Sequence, residues 1–397
     1  MIIQKYGGAT LSDPEKIKAV AKRISDLSKN GTQVVAVVSA MGKTTNQLIQ
    51  LAGQVSTNPN RREMDMLLST GERVSMALVS IALNDLGCQA ISFTGSQAGI
   101  LTDDSHVNAL ITDVKAFRVE QALKENKVVV LAGFQGVSPI TKEITTLGRG
   151  GSDITAIALG AFLKAERCEI LKDVAAVFTA DPNIIPDAKP LLKLTYDQLL
   201  DMTFWGAKVL QYRSVELAKR NKVPLYVGPA SSELADGTLI SDGGSMPNAQ
   251  YETPKILALN SHETVLLIKT QKLTSDQALP MLENFLTEKE IPFPQLLSLE
   301  TSKIGIEMVL TGPAEVIQSI ERELPQSKDF QIHSDKMSSV TATCTSSTSS
   351  DIPKMVLKKL SENKIEIPKV ILNPMSISLI LKQKDREKTL KALHELI

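Results

Sequence analysis

At 397 residues the chain has room for two or three domains of about 150 residues each, with cores that need neither disulfides nor a structural metal. Its 44 Lys and Arg balance 44 Asp and Glu, which speaks against a nucleic-acid partner or an anionic membrane surface but leaves room for a local phosphate pocket. A hydrophobic content of 43% excludes a disordered chain, and Cys88, Cys168 and Cys344 stand too far apart for a disulfide framework or zinc spacing.

The N-terminus reads as a strand at 2–6 rather than an export signal, and no segment has the apolar length of a membrane span. The cytoplasm is therefore the expected location. Gly7-Gly8 ends the first strand. Ser12 and Glu15 have capping-box spacing for a helix that Asn30-Gly31 stops. The apolar run at 33–39 predicts a parallel strand covered on both faces. Helices are expected near 46–55 and from Gly71 to Leu86, then short strands at 90–93 and 128–132. A helix at 153–163, a strand at 168–171, a helix at 206–221 and a strand at 224–227 complete the alternation. It implies an α/β fold with a mostly parallel open sheet sandwiched by helices.

The Gly-, Ser- and Asp-rich stretch at 228–250 marks a boundary, so the predicted domains are 1–228, a linker at 229–252, and 253–397. In the tail, strands at 264–270, 295–299, 304–310 and 330–333 with helices at 275–289 and 313–323 give one βαββαβ unit. Strands at 339–344, 369–372 and 376–381 with helices at 351–363 and 386–396 give a second, weakly similar one. Reactive residues do not cluster there, which suits the tail to binding or assembly.

Lys5 and Gly7-Gly8 stand where the first strand ends. Such a turn binds phosphate through backbone amides and a point charge, or is simply a turn. Gly42-Lys43-Thr44 imitates the end of a P-loop, but Val37 occupies the position of the required upstream glycine, so that reading fails. Glu72, read at the start of a helix, is either a capping carboxylate or the holder of a substrate ammonium. The densest signal is Gly148-Arg149-Gly150-Gly151-Ser152-Asp153. Three glycines before a helix N-terminus favour an anion site, and Arg149 can grip a carboxylate or phosphate bidentately. Asp153 then needs something cationic beside it, such as Lys5 or magnesium. Asp173 and Asp181 lie where a nucleotide's ribose and base could bind, although Asp181-Pro182 alone is more often just a turn. Lys208 either reaches a phosphate or is solvated. His106 suits a local turn or cap, and Trp205 suits packing.

Taken together, KYGGAT at 5–10, VVSAMGKTTNQL at 37–48, TGERVS at 70–75, AGFQGV at 132–137, TTLGRGGSDITAIAL at 145–159, DVAAVFTADP at 173–182 and GAKVL at 206–210 resemble the aspartokinases of the amino acid kinase family. The tail resembles the paired ACT modules that follow the kinase domain in such enzymes. The resemblance implies transfer of the ATP γ-phosphoryl group to the β-carboxylate of L-aspartate, with magnesium, giving 4-phospho-L-aspartate. This is the first step towards lysine, methionine and threonine, via diaminopimelate in many bacteria. Lys5, Gly7, Gly8 and Lys208 match phosphate-binding positions, and Asp153 matches the position that organises the catalytic lysines. Ser39, Thr45, Glu72, Arg149 and Ser152 match aspartate-binding positions. Asp173, Phe178 and Asp181 fall in the nucleotide-binding stretch. A homodimer or larger homo-oligomer through the tail, with lysine or threonine as effector, is also implied.

Several positions depart from the family pattern. Ala9-Thr10 replaces Thr-Ser, Lys172 replaces Thr, Ala175-Ala176 replaces Asp-Gly, and Gln211-Tyr212 replaces His-Pro. An added cation and a lost glycine predict an ATP site weaker than, or different from, the family's. Neither 271–275 nor 345–350 has the glycine usual in the first loop of an ACT module, which predicts weak or altered effector pockets. Two other readings keep the fold: a catalytically weak amino-acid-sensing partner subunit, and a related kinase for another carboxylate or a carbamate.

Overall fold

The computed structural model describes residues 1–230, 237–242, 255–271, 273–303, 305–333, 335–345 and 351–397. The chain divides into two compact units. The first comprises Met1–Val177, Pro190–Leu200 and Lys208–Asn248, and the second Phe178–Lys189, Asp201–Ala207 and Ala249–Ile397.

The first unit opens with β1 (Ile2–Tyr6), α1 (Pro14–Lys29) and β2 (Val34–Val38). Asp13, not Ser12, caps α1: its carboxylate accepts the Lys16 amide at 2.9 Å, and Pro14 sits in the first turn. The helix ends at Asn30, and Gly31 follows with φ +83°. Next come α2 (Thr44–Val55), α3 (Arg61–Asp85), β3 (Ala90–Phe93), β4 (Ile100–Thr102), β5 (Ile111–Val114), α4 (Phe117–Lys124) and β6 (Val128–Ala132). Then follow β7 (Gln135–Val137), β8 (Ile144–Thr146), α5 (Gly151–Phe162), β9 (Cys168–Lys172), β10 (Val177–Phe178), β11 (Pro190–Leu191) and β12 (Lys193–Leu194). Last are α6 (Tyr196–Phe204), α7 (Tyr212–Asn221), β13 (Leu225–Pro229) and β14 (Thr238–Ile240).

The main sheet has the order β12-β14-β13-β9-β1-β2-β6-β3 and is parallel except where β14 meets β13. β1, β2 and β6 are buried along their whole length, as expected of strands covered on both faces. A second, four-stranded sheet, β5-β4-β7-β8, has strands too short to stand out in the sequence. β14 lies inside the stretch expected to be a linker.

Three further expectations change. The long helix starts at Arg61, ten residues before Gly71, and Gly71 lies inside it because a Cβ there would come 2.8 Å from the Ala40 side chain. The helix expected at 206–221 begins only at Tyr212, as α7, because Gly206 at φ +104° belongs to a turn, and α6 at Tyr196–Phe204 before it was not expected. And α3 is long and apolar enough to cross a membrane by length and composition, although no segment was expected to be. Its buried residues include Asp65, Ser69, Glu72 and Ser75, and it packs on α1, β3 and β6.

The second unit contains β15 (Ile256–Thr270), α8 (Ser275–Glu288), β16 (Gln295–Ser302), β17 (Gly305–Thr311), α9 (Ala314–Glu323) and β18 (Gln331–Ile332). It continues with β19 (Met337–Cys344), α10 (Asp351–Glu362), β20 (Lys369–Asn373), β21 (Ser376–Lys382) and α11 (Arg386–His394). Its antiparallel sheet runs β16-β17-β15-β19-β21-β20, with β18 paired to β15. β15 is twice as long as expected, since the polar run Asn260–Ser261–His262–Glu263 hides its first half. The C-terminal half pairs with β17 and the N-terminal half with β19, so it supplies a fourth strand to the second βαββαβ set.

Period-two alternation explains the layers. Leu266, Ile268, Met308 and Leu310 meet α8 and α9, while Val340, Ala342, Ile377 and Leu379 meet α10 and α11. Val265, Leu267, Val309 and Met337 instead surround Trp205. Beside them Thr343 and Ser376 donate to the Asp201 carboxylate at 2.6 and 2.7 Å. Burial raises the Asp201 carboxyl above its ordinary value, with both hydroxyls working against that rise. Lys272 and residues 346–350 of the two expected effector loops lie outside the described residues.

Candidate active site

The site forms where the main sheet changes direction. From β1 the chain adds β2, β6 and β3 on one side, then β9 and β13 on the other. In open α/β sheets ligands bind at such a switch point, beyond the carboxyl ends of the strands. The register sets Lys5 beside Ile170 and Tyr6 beside Leu171, so Lys172 follows one step on.

Lys5 and Asp153 meet there. The Lys5 Nζ lies 2.7 Å from Asp153 Oδ1, and both side chains are nearly buried, at 8% and 4% exposure. Lys172 approaches the other oxygen, Oδ2, at 3.4 Å and also donates to the Val209 carbonyl. Burial works to raise the Asp153 carboxyl, but the Lys5 and Lys172 ammoniums outweigh it and hold it below its ordinary value. Asp153 reaches this point from the first turn of α5. Gly148 and Gly150, at φ +73° and +71°, make the turn that lets α5 start beside β1. Ser152 is buried next to Gly133, where a Cβ would come 2.9 Å from its hydroxyl.

Two loops close the other side. Gly8 lies so near the end of β2 that a Cβ would sit 2.7 Å from the Ala40 carbonyl, and its own carbonyl accepts the Gly42 amide at 3.0 Å. The Gly7 carbonyl accepts the Thr10 hydroxyl at 2.6 Å, so the one hydroxyl kept in Ala9-Thr10 is used to hold the turn. Ser39, half-buried, donates its amide to the Tyr6 carbonyl, and Thr45 is half-buried in the first turn of α2.

Glu72 lies mid-helix in α3, not at a helix start. Its Oε1 accepts the Ala40 amide at 3.0 Å, and its Oε2 is buried with no hydrogen-bond partner among the described residues. Burial pushes its carboxyl up to about 7, against the pull of the Ala40 amide and Lys5. One helical face carries Asp65, Ser69, Glu72 and Ser75, all buried. Asp65 was not anticipated. It accepts from the Thr146 hydroxyl at 2.5 Å and the Val107 amide at 3.0 Å, and lies 2.7 Å from His106 Nδ1. These bonds hold Val107 at φ +73°, costly for a β-branched residue. Asp65 thus braces β8 and the loop that carries His106 and Val107.

Arg213, also unanticipated, clamps the same loop. Its guanidinium donates to the Leu147 carbonyl at 3.0 Å and to the Ala109 carbonyl at 2.6 Å. Nothing in the sequence around Arg213 separates it from an ordinary helix arginine. Arg149 itself is exposed and makes no hydrogen bond or ion pair among the described residues. Lys208 is likewise exposed, between α6 and α7, and Asp173 is exposed just past β9. Phe178 and Asp181 belong to the second unit. There Asp181 Oδ1 accepts the Asn183 amide at 2.9 Å, an Asx turn. Ala176 is buried and has no positive φ, so alanine is unstrained where glycine is usual.

Residues 1–229 match the amino acid kinase family. An aspartokinase of Mycolicibacterium smegmatis is 39% identical over 412 residues, spanning all of this chain and 95% of the relative. The chain belongs to the aspartokinases. Among solved structures, E. coli aspartokinase III in complex with aspartate and ADP (R-state) matches with a TM-score of 0.82 at 20% identity, over all of this chain and 99% of that one. The same enzyme in complex with lysine and aspartate (T-state) matches with a TM-score of 0.75 at 22% identity, over the same shares. At such identities the likeness bears on the fold alone, and it spans both units.

Proposed function

We propose that the chain uses the Lys5–Asp153 centre to move the γ-phosphoryl group of ATP onto the β-carboxylate of L-aspartate, releasing ADP and 4-phospho-L-aspartate. The observation that carries this reading is the buried ion pair at the end of the central strand, with the glycine turn on one side and the half-free carboxylate of Glu72 on the other. A carboxylate oxygen is already nucleophilic at neutral pH, so no histidine base is needed. The difficulty is bringing two anions together, and fixed positive charge and amide dipoles meet it. Lys5, the Gly7 and Gly8 turn and Lys208 take the phosphates, and Asp173 takes the nucleotide. Arg149 holds the α-carboxylate of aspartate and Glu72 its ammonium, with Ser39, Thr45 and Ser152 beside them. Held in line, a β-carboxylate oxygen bonds to the γ-phosphorus as the bridging oxygen leaves with ADP.

No cluster of three or more His, Cys, Asp or Glu able to hold a metal exists among the described residues. Magnesium would be carried mainly by the triphosphate, the usual arrangement in kinase sites, with Asp153 as a carboxylate beside it. Magnesium would neutralise phosphate charge there.

We further assign 1–228, with β14 of the same sheet, to catalysis, the rest of 229–252 to a linker and 253–397 to regulation and homodimer formation, with lysine or threonine as effector. Three free, buried cysteines are in keeping with a cytoplasmic enzyme. The direct test traps acyl phosphate with hydroxylamine, offering aspartate and glutamate side by side, each with lysine and threonine added. Aspartyl hydroxamate that depends on ATP and magnesium is expected. A preference for glutamate, or no hydroxamate at all, would overturn the assignment.

Glu72 makes the reaction pH-dependent. It holds an ammonium only when ionised, and burial lifts it to about 7 in the free enzyme. The kcat/KM for aspartate should therefore fall as pH drops through about 7. At saturating aspartate the bound ammonium draws that limb to lower pH. Glu72→Gln should lower kcat/KM and flatten the acid limb; an unaltered profile would remove Glu72 from this role.

A further inference from the structure

Lys172 is the residue of the site to which the family resemblance gives no role, because threonine is usual there. In this chain it is built into the centre. Its stem and the Lys5 ammonium flank the same glycine, since a Cβ on Gly7 would lie 3.9 Å from Lys172 Cγ and 4.0 Å from Lys5 Nζ. Its own ammonium contacts Asp153 Oδ2 and donates to the Val209 carbonyl. An ammonium has three N–H donors, so one is left over. The side chain keeps 21% exposure, which leaves that donor a route to solvent.

Charge arithmetic explains why this matters. Lys5 and Asp153 alone are neutral, and Lys5 already pairs with the carboxylate at the shorter distance. A second ammonium is redundant for neutralising Asp153 and gives the Lys5–Asp153–Lys172 trio one positive charge in excess, although burial pulls the Lys172 ammonium below its ordinary value and Asp153 and Asp173 work against that fall. Lys208, by contrast, is exposed and unpaired among the described residues, while Val209 next to it is held by Lys172.

We propose that Lys172 is a ligand of the ATP polyphosphate: its free N–H takes a phosphate oxygen, and its bond to Val209 fixes the segment that carries Lys208. The proposal rests on the kinase reading above. It inverts the expectation from residue types alone, in which the added cation weakens the ATP site.

The test uses the full-length protein with Lys172→Gln, Lys172→Thr and Lys172→Arg. KM for ATP and for aspartate, ADP affinity by calorimetry, and melting temperature are measured for each. Lys172→Gln and Lys172→Thr should weaken ATP and ADP by about tenfold or more, the usual scale for losing a charged hydrogen bond. KM for aspartate should stay nearly constant, and Lys172→Arg should recover part of the loss. Unchanged ADP affinity in both neutral variants would overturn the proposal. So would a matched loss of ATP and aspartate affinity with a lowered melting temperature, which marks a purely structural lysine. If the wild type yields no acyl phosphate, the kinase reading fails instead, and ADP calorimetry still decides for or against Lys172.

Discussion

Asp153→Asn is expected to reduce turnover on the order of 100- to 1,000-fold, and Lys5→Ala by a similar factor, because each removes fixed charge from the point where the transferring group develops its own. The two losses should not add. Lys5 and Asp153 touch at 2.7 Å and act as one unit, so the double variant should be about as slow as the worse single one. Folding suffers more in Asp153→Asn, which leaves the Lys5 and Lys172 ammoniums facing each other. Breaking such a buried pair typically costs about 3 kcal/mol or more. The sign with pH follows from the lowered Asp153 value. Its stabilisation is present above the ordinary carboxylate range and is lost as pH falls through the depressed value. Steady-state rates, a double-variant cycle and thermal melts from about pH 7 down to about pH 3 check these points. A Lys5→Ala enzyme with near-normal turnover would end the mechanism.

Gly8→Ala should be the most damaging conservative change in the loops. The new methyl would lie 2.7 Å from the Ala40 carbonyl and 3.1 Å from the Gly42 carbonyl, both backbone atoms of the loop between β2 and α2. Neither can step aside as a side-chain end would. Overpacking of this kind costs about 1–3 kcal/mol. It should also raise KM for both substrates, because β1's turn carries the phosphate-facing glycines and the facing loop carries Ser39 and Thr45. Gly53→Ala in α2 is the control, as nothing lies within 4 Å of the added methyl. There the better helix propensity of alanine should raise stability by up to about 1 kcal/mol. Matching melting curves for the two variants would contradict the argument.

The inner strands β2 and β6 were legible because they are continuous apolar runs, a pattern that burial on both faces enforces, whereas the edge strands β12 and β14, two and three residues long, were not. The anion-binding turns were legible because glycine and charge coincide in them. What stayed hidden has common physical causes. Reading Gly71 as a helix start cut α3 short and concealed that Asp65 and Glu72, two turns apart, share its inner face. With the start at Arg61, the buried positions 65, 68, 72, 75, 79 and 83 follow helical spacing. α6 lies upstream of the helix expected at 206–221 and is an addition to the expected elements. Arg213 and the Asp65–His106 contact join residues distant in sequence, and no local pattern encodes such bonds. Lys172 stands out by residue type, but its contacts with Asp153 and Val209 depend on the fold.

β15 has a consequence for dividing the protein. Its 15 residues serve two ladders in succession, β19 along the first stretch and β17 along the second. A chain ending before β19 would strip the stretch from Ile256 to His262 of its ladder partner and expose a bare, apolar strand edge. Such edges recruit other chains. The two βαββαβ sets are therefore not detachable cassettes: excising one should turn the remainder into an aggregating fragment, and shuffling them between proteins requires moving both as a single piece.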